Sequence, residues 1–153
     1  MPAIRTQGTQ LYTVSGPTVV TEIGQIVSIS GLGGARDQID TTVLTDAERT
    51  FLGGFANPGP ITLELVFDPV VVNHQLLNTL FANGSIVPWM IAASDGTATP
   101  TATASQFVAL ATRSNWRFIG YVADVNIDFS TNEVIRGTVT IQRSGAVTTT
   151  ARA

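Results

Sequence analysis

The stretch NWRFIGYVADVNIDFSTNEVIRGTVTIQR, residues 115–143, decides the fold of this chain. Two runs of alternating apolar and polar side chains, 115–129 and 133–143, flank the polar tripeptide at 130–132. Alternation with a period of two is typical of a strand with one buried face, and a short polar break between two such runs indicates a hairpin loop. The sequence therefore predicts a long β-hairpin in this part of the chain.

The alternation predicts which face of this hairpin is buried. The apolar face is expected to bury Ile119, Tyr121, Ala123, Val125, Ile127 and Phe129 of the first strand and Ile135, Val139 and Ile141 of the second. The opposite face carries the polar residues Asp124, Asn126, Asp128, Thr138, Thr140 and Gln142. Arg136 also lies on this polar face, where we expect it to pair with one of the two aspartates.

A strand followed by a helix precedes the hairpin. Residues 61–67 alternate well, with Ile61, Leu63, Leu65 and Phe67 on one face. Asp68 is a good N-cap, Pro69 suits the first helical position, and Asn83-Gly84 is a typical helix end, so we expect a helix over about 69–82. Its apolar stripe is Val72, Leu76, Leu77, Leu80 and Phe81, and its polar face includes Asn73, His74, Gln75 and Asn78.

The rest of the chain adds shorter strands and three irregular segments. Strands are expected over 22–30, 86–94 and 106–111, the second at a sheet edge or bulge because Pro88 lacks an N–H. The irregular segments are an N-terminal arm over 1–20, a long inter-subunit loop over 31–60 and a C-terminal tail over 145–153. We expect one domain over 1–153, mainly β, as a β-sandwich or partly open β-barrel with one flanking α-helix.

The composition indicates a protein that assembles with itself. Only 12% of residues are charged, 44% are hydrophobic, and there is no lysine or cysteine. A surface made mostly of neutral polar residues is readily buried against further copies of the chain. The net charge of −3 argues against the broad basic surface of a nucleic-acid binder. The N-terminus lacks the apolar run of a secretory signal and no stretch is long enough to span a bilayer, so we expect synthesis in the cytosol and no membrane insertion.

Catalytic and ligand-binding sites are not evident in the sequence. The single histidine, His74, falls on the polar face of the predicted helix, and the glycines of 31–34 lack the Lys-Ser/Thr of a phosphate loop. Asp124, Asn126 and Asp128 alternate along one strand face and so resemble the oxygen ligands of a Ca²⁺ site, but an extended strand does not turn its carbonyls inward. Trp89 and Trp116 are better explained as core residues than as a stacking platform. We therefore expect that the protein is not an enzyme and that it binds no metal ion and no cofactor.

Several segments together resemble a known family. The resemblance is carried by Ile39-Asp40-Thr41-Thr42, Arg49-Thr50-Phe51-Leu52-Gly53-Gly54-Phe55, Gly59-Pro60-Ile61-Thr62, Phe67-Asp68-Pro69, Gln75-Leu76-Leu77, Gly120-Tyr121-Val122 and the run from Gly137 to Gly145. In this order and spacing they resemble the major tail tube proteins of long-tailed, lambda-like bacteriophages. The resemblance spans about residues 20–147, and it implies a minimal member of the family, without the C-terminal immunoglobulin-like domain that some members carry.

The resemblance implies hexameric rings that stack into a hollow tube in the virion tail, assembled in the host cytoplasm. Neighbouring sheets would join into a continuous inner barrel, genomic DNA would pass without specific binding, and tape-measure, tail-terminator and baseplate or tip proteins would be partners. The fold is also that of contractile-tail tubes and type VI secretion tubes.

We expect the polar side of the hairpin to line the lumen, with Asp124, Asn126, Asp128, Thr138, Thr140 and Gln142. For ring-to-ring contact we expect both tails and the loop residues Arg36, Asp37, Asp40, Asp46, Glu48 and Arg49.

Two other classes of protein remain open at this point. A β-sandwich binding module for carbohydrate or receptor recognition would explain the strands and threonine-rich loops, but it should show a clustered, exposed aromatic site. An enzyme would need an acid and base pair that the sequence does not offer.

Overall fold

The computed structural model describes residues 3–153, and in them one large antiparallel sheet and one helix. The elements are β1 Gln10–Val14, β2 Val20–Ile23, β3 Ile26–Ser30, β4 Arg36–Asp40, β5 Phe51–Ala56, β6 Pro60–Val66, α1 Val72–Asn83, β7 Val87–Ala92, β8 Ala102–Thr103, β9 Gln106–Phe107, β10 Asn115–Asp128 and β11 Arg136–Thr150. Seven strands form the main sheet in the order β2-β1-β7-β10-β11-β6-β3, and β4-β5 and β8-β9 are separate pairs. The prediction of a mainly β fold with one helix is confirmed, and the sheet stays open.

The hairpin β10-β11 is the centre of the sheet. Strand β10 pairs with β11 along its whole length, from Asn115 opposite Thr150 to Asp128 opposite Arg136. Strand β7 pairs with residues 115–120 of β10, and β6 pairs with residues 136–142 of β11. The two halves of the sheet are therefore attached to opposite ends of this hairpin.

Side chains from both halves of the sheet meet in a single main core, so the sheet bends around it. Ile61, Leu63 and Leu65 of β6 are fully buried, as their alternation predicts. The other members are Leu11, Ile23, Phe67, Leu77, Leu80, Trp89, Ile91, Phe118, Val122, Val139 and Ile141. A smaller cluster on the other face of β1 and β7 packs Tyr12, Met90 and Ala92 against Phe107 and Leu110.

The predicted buried face of β10 is wrong in its first half. Phe118 and Val122 are buried, whereas Ile119 and Tyr121 are 42% and 38% exposed. A register shift between Val122 and Asp124 changes the phase of the strand, because an extra residue in one strand turns every later side chain to the opposite face. Past this shift, Val125 and Ile127 pack against the core as predicted. Phe129 lies beyond the strand and is exposed.

Helix α1 begins three residues later than predicted and ends where predicted. The carboxylate of Asp68 accepts a hydrogen bond from the N–H of Val70 at 2.9 Å, in a turn that precedes the helix. Gly84 ends the helix with a φ of 63°, and its N–H donates to the carbonyl of Leu80. Leu77 and Leu80 are buried as predicted. Val72 and Phe81, also assigned to the apolar stripe, are exposed instead.

His74 is buried in the core, and its prediction as a polar-face residue is wrong. Its Nδ1 accepts a hydrogen bond from the N–H of Asp68 at 3.0 Å, and its Nε2 lies 2.9 Å from the carbonyl of Gly24. A neutral imidazole with the proton on Nε2 satisfies both contacts. The ring also stacks on Phe67. This histidine joins the start of the helix to the β2-β3 turn.

Three predicted segments differ from the structure. Residues 10–14 of the predicted N-terminal arm form β1, which is hydrogen-bonded between β2 and β7 and has both faces covered. The predicted strand 22–30 breaks at Gln25, whose φ is 60°, into β2 and β3 at the two ends of the strand order. The predicted C-terminal tail continues β11 as far as Thr150. Residues 1 and 2, where the predicted arm starts, lie outside the described residues.

Two further expectations are corrected. Pro88 does not mark a sheet edge, because its strand β7 lies between β1 and β10. The pairing of β7 with β1 ends at Trp89, the residue that follows the proline. The segment 31–60 is not irregular throughout, since it contains the β4-β5 hairpin and the start of β6.

Within residues 3–153, no helix has the length and apolar character needed to cross a membrane.

Candidate assembly surfaces

The predicted lumen residues lie on one face of four adjacent strands: β3, β6, β11 and the second half of β10. Across these strands, Asp124 opposes Thr140, Thr140 opposes Thr62, and Thr62 opposes Ser30. The next row joins Asn126, Thr138, Glu64 and Ser28 in the same way. We call this surface the polar face; it comprises Ser28, Ser30, Thr62, Glu64, Asp124, Asn126, Asp128, Arg136, Thr138 and Thr140.

Gln142 is the one predicted lumen residue that is engaged elsewhere. Its side-chain amide donates to the carbonyl of Pro58 at 3.1 Å and to that of Arg143 at 3.2 Å. Because Pro58 belongs to the segment that returns from the β4-β5 hairpin, Gln142 serves to attach that segment to the sheet.

The polar face carries a net negative charge. Arg136 pairs with Glu64 of β6, with 3.3 Å between Nη1 and Oε1, and not with Asp124 or Asp128 as predicted. Both partners are about two-fifths exposed, so the pair is a weak, solvent-screened one. Residues 3–153 form no other ion pair, so Asp124 and Asp128 are exposed and have no positively charged partner.

The four strands that carry the polar face end in two open edges. Residues 121–128 of β10 pair with β11 on one side, and β7 pairing stops at Gly120 on the other. Strand β3 pairs only with β6. Each edge therefore presents backbone N–H and C=O groups, which are a template for pairing with another strand.

The β4-β5 hairpin projects from the sheet and is exposed almost throughout. It exposes six large apolar side chains: Ile39, Val43, Leu44, Phe51, Leu52 and Phe55. Ile39 lies opposite Leu52 on one face of the hairpin, and Phe51 lies on the other face opposite Asp40. Both faces of this ribbon therefore carry apolar surface with nothing packed on it in the single chain.

The charged residues predicted for ring contact mostly shape the hairpin itself. Arg36 donates to the carbonyl of Gly54 at 2.8 Å, and Asp37 accepts from the amide of Asn57 at 2.8 Å. Near the tip, Asp40 accepts from the N–H of Thr42, and Asp46 accepts from the N–H of Val43, both at 2.9 Å. The hydroxyl of Thr42, together with its N–H, lowers the pKa of Asp40 below the ordinary 3.8. Glu48 and Arg49 are exposed near the tip.

The exposed apolar side chains on the hairpin are not among the contact residues predicted from the sequence. The signal was present in Val43-Leu44, Phe51-Leu52 and Phe55, because large apolar side chains are unusual in a long exposed segment. The prediction for ring contact instead names the charged residues of the same segment. The structure gives four of those six charged residues a bond within the hairpin or to Asn57.

The residues considered for chemistry are not brought together. His74 is fully buried and used structurally, and no cluster of three or more His, Asp or Glu suited to a metal ion occurs in the part of the chain described, 3–153. Trp89 is also fully buried and donates to the carbonyl of Gly120 at 3.2 Å, so it cannot form an exposed stacking platform.

Comparison with known proteins gives one family and one closely related protein. The family described as phage tail tube, TTP, lambda-like, matches residues 2–153. Structural protein 3 of Pseudomonas phage PAJU2 is 35% identical over 148 residues, which cover 93% of this chain and 90% of that protein.

Solved structures with the same fold come from a gene transfer agent tail, a contractile injection system and the SPP1 tail tube. A chain from the tail of an empty gene transfer agent particle, refined helically with C6 symmetry, aligns with a TM-score of 0.69 at 16% identity and covers 97% of this chain and 100% of that one. The sheath/tube terminator structure of the extracellular contractile injection system PVC gives 0.71 at 15% identity, with 99% of each chain covered. The SPP1 tail tube gives 0.70 at 7% identity, covering 98% of this chain and 80% of that one. At these identities the likeness is one of fold.

Proposed function

The chain belongs to the lambda-like phage tail tube family, and from this premise we propose that its copies close into six-membered rings that stack into the conduit for DNA ejection. As a member of this family it is a structural subunit of a phage tail tube. One observation supports both parts of this proposal: the same chain has two open sheet edges and one projecting hairpin with exposed apolar side chains. The edges suit closure within a ring, and the hairpin suits contact between rings.

Ring closure would join the free edge of β10 in one subunit to β3 of the next. Both edges belong to the four strands that carry the polar face, so their pairing would continue this face from subunit to subunit. A closed ring of this kind would leave no unpaired edge within the four strands of the polar face, which removes the aggregation hazard of these two edges in the single chain.

Ring stacking would bury the apolar side chains of the β4-β5 hairpin. A hairpin with apolar residues on both faces leaves one of these faces in water if it lies against a single surface, whereas contact on both sides would bury both. We therefore place it between subunits of the adjacent ring. The described part of the N-terminal segment and the last residues after Thr150 are further candidates for this contact.

The polar face would line the lumen. Its residues Asp124 and Asp128 are exposed carboxylates without an ion-pair partner among residues 3–153, and phosphates would be repelled weakly by them. Arginines there would instead retain each phosphate that passed. The test is the double change Asp124→Lys and Asp128→Lys: we expect tubes of normal length and impaired infectivity. Unchanged infectivity would count against repulsion of DNA by these residues.

Ring closure can be tested with engineered disulfides because the chain has no cysteine. Ser28→Cys and Asn126→Cys together place thiols on β3 and β10, which are separated by β11 and β6, or about 14 Å at 4.7–4.9 Å per strand. Since a disulfide needs Cα atoms within about 7 Å, any bond between them must join two subunits. We expect a ladder of covalent oligomers ending at the ring size; Ser30→Cys and Asp124→Cys sample the neighbouring register.

The matched control for this experiment pairs Asn126→Cys with Asn78→Cys on the exposed side of α1, which should give no ladder. Negative-stain microscopy of the unmodified chain at high concentration supplies the second readout. Rings or tubes support the proposal. Featureless particles, with no ladder in either register, would contradict it and favour a binding module.

The tail partners are proposals of the same kind. Structural neighbours come from particles with tube terminators, caps and baseplates, and we propose that this subunit meets corresponding proteins at the tube ends and a tape-measure protein in the lumen. We propose the virion tail as its place in the particle, because the solved structures with the same fold include a chain from a gene transfer agent virion and the SPP1 tail tube. Assembly in the host cytoplasm is part of the proposal.

A further inference from the structure

Arg143 ties both ends of the hairpin segment to the sheet. It lies on β11, next to Gln142, where pairing with β6 ends, and its side chain is 6% exposed. Its Nε donates to the carbonyl of Gly59 at 3.1 Å, and its Nη2 donates to the carbonyl of Gly33. Gly33 precedes β4 and Gly59 follows β5, so one guanidinium holds the outgoing and the returning chain together.

The contacts around Arg143 form a compact root for the hairpin. The N–H of Asn57 donates to the carbonyl of Ala35 at 2.8 Å and closes the ribbon just above the guanidinium. Gly34 is packed so closely that an added Cβ would lie 3.3 Å from Nη2 of Arg143 and 2.6 Å from the carbonyl oxygen of Asn57. The close packing indicates that the position of this root is tightly defined.

Beyond the root, the hairpin is held only by itself. The hydrogen bonds of the side chains between Arg36 and Ala56 all join residues within that range or reach Asn57. The direction in which the hairpin leaves the sheet is therefore fixed at its root. Small rotations there would be amplified at the tip, which lies roughly 15–30 Å away at 3.3 Å per residue.

We propose that Arg143 is a positioning residue that sets the direction of the β4-β5 hairpin, so that its tip meets the adjacent ring in the correct orientation. A guanidinium buried without a carboxylate partner is costly, and none of the described carboxylates lies within salt-bridge distance of it. Two donors at fixed angles can hold two carbonyls in a defined geometry, which the single ammonium of lysine cannot reproduce. The effect of Arg143 on contact between rings rests on the proposed function, whereas its effect on the direction of the hairpin is a property of the single subunit.

The test measures hairpin direction in the isolated subunit. Spin labels at Thr45→Cys on the tip and Asn78→Cys on α1 report the distance between hairpin and body in this cysteine-free chain. We expect one narrow distance peak with Arg143 present. Arg143→Met and Arg143→Lys should lose the single peak and give a broad or displaced distribution, with the fold retained by circular dichroism.

Arg113 is the matched control because it is equally buried and also donates to backbone carbonyls, among them Ala93 and Ala98, remote from the hairpin. Arg113→Met should lower thermal stability and leave the label distance unchanged. If both Arg143 variants fail to fold, Gly34→Ala disturbs the same root from its exposed side and should broaden the distance. An unchanged narrow peak in any folded root variant, or equal broadening by Arg113→Met, overturns the proposal.

Tube growth supplies a separate readout. Folded Arg143→Met subunits, with every tip residue intact, should form rings that do not elongate. If the unmodified subunit itself forms no tubes, the proposed function fails, while the label distances still decide the role of Arg143.

Discussion

Leu44→Asp at the hairpin tip should stop ring stacking without unfolding the subunit. Leu44 is fully exposed in the single chain, so the change removes no contact that stabilises the fold. Surface substitutions of this kind usually alter the free energy of unfolding by less than about 0.5 kcal/mol. The variant therefore separates the assembled state from the folded state.

The expected effect on stacking follows from the apolar area that one leucine can bury. Full burial of a leucine side chain contributes about 1.5–3 kcal/mol, or a factor of about 10–150 in an association constant. If a ring presents six such tips at once, the loss is about 9–18 kcal/mol per ring interface, before the cost of desolvating the new carboxylates. Even the lower figure reduces the ring-to-ring association constant by about 10⁶-fold.

The assay is the concentration at which tubes appear, measured by sedimentation and negative-stain microscopy. We expect rings but no tubes from Leu44→Asp at concentrations where the unmodified chain elongates, because the proposed ring closure does not use the hairpin. Thr131→Asp, in the exposed β10-β11 loop, adds the same charge away from the hairpin and controls for charge alone. Tubes of normal length at the normal concentration from Leu44→Asp would refute the role given to the hairpin.

Three further changes test the fold. His74→Ala should lower the free energy of unfolding by about 3 kcal/mol in a denaturant titration, because a fully buried side chain is removed and two partly buried backbone groups lose their hydrogen-bond partner. Gly31→Ala should cost more than about 2 kcal/mol, since Gly31 has a φ of 100° and the new Cβ would lie 2.2 Å from the carbonyl oxygen of Pro60. A hydrogen bond from the hydroxyl of Ser114 lowers the pKa of Asp95 below 3.8 in the folded state. The ionised carboxylate therefore stabilises the fold above pH 3.8, and this stabilisation is lost as the pH falls through the lowered pKa of the folded state. Asp95→Asn should accordingly lower the melting temperature near neutral pH by an amount that shrinks below about pH 4, as measured by thermal melts across the pH series.

Strands with one buried face were the part of the fold that the sequence could predict. Strand β6 alternates without interruption, and Ile61, Leu63 and Leu65 are buried as the pattern requires. Strand β1 gave no such signal, because its residues are buried on both faces and their sequence does not alternate. In β10 the period was correct but a register shift after Val122 changed its phase, and no residue type announces such a shift.

The helix shows how a polar residue can belong to a core. His74 falls between apolar positions of α1, and periodicity assigned it to solvent. It is buried because both ring nitrogens find backbone partners, one of them in the distant β2-β3 turn. Pairings of this kind depend on tertiary structure, so the pattern of a single helix cannot reveal them.

The candidate assembly surfaces were predictable to different degrees. Alternation placed Asp124, Asn126, Asp128, Thr138 and Thr140 on one face, and the register brings them together. The partner of Arg136 was not predictable, because Glu64 becomes its neighbour only when β6 pairs with β11. Open edges are likewise a property of strand order, which no local pattern contains.

The two proposed contacts differ in chemistry, and this difference explains how one small subunit could assemble in steps. Edge pairing is directional, since a strand accepts a partner only in registers that satisfy its N–H and C=O groups. Apolar burial of the hairpin is not directional, and without a fixed root the same side chains would associate in many orientations. Rigid attachment through Arg143 would give this second contact the orientation that its own chemistry lacks. On this proposal the chain would combine a contact that specifies geometry by hydrogen bonding with one that contributes area, and a buried arginine would make the second as specific as the first.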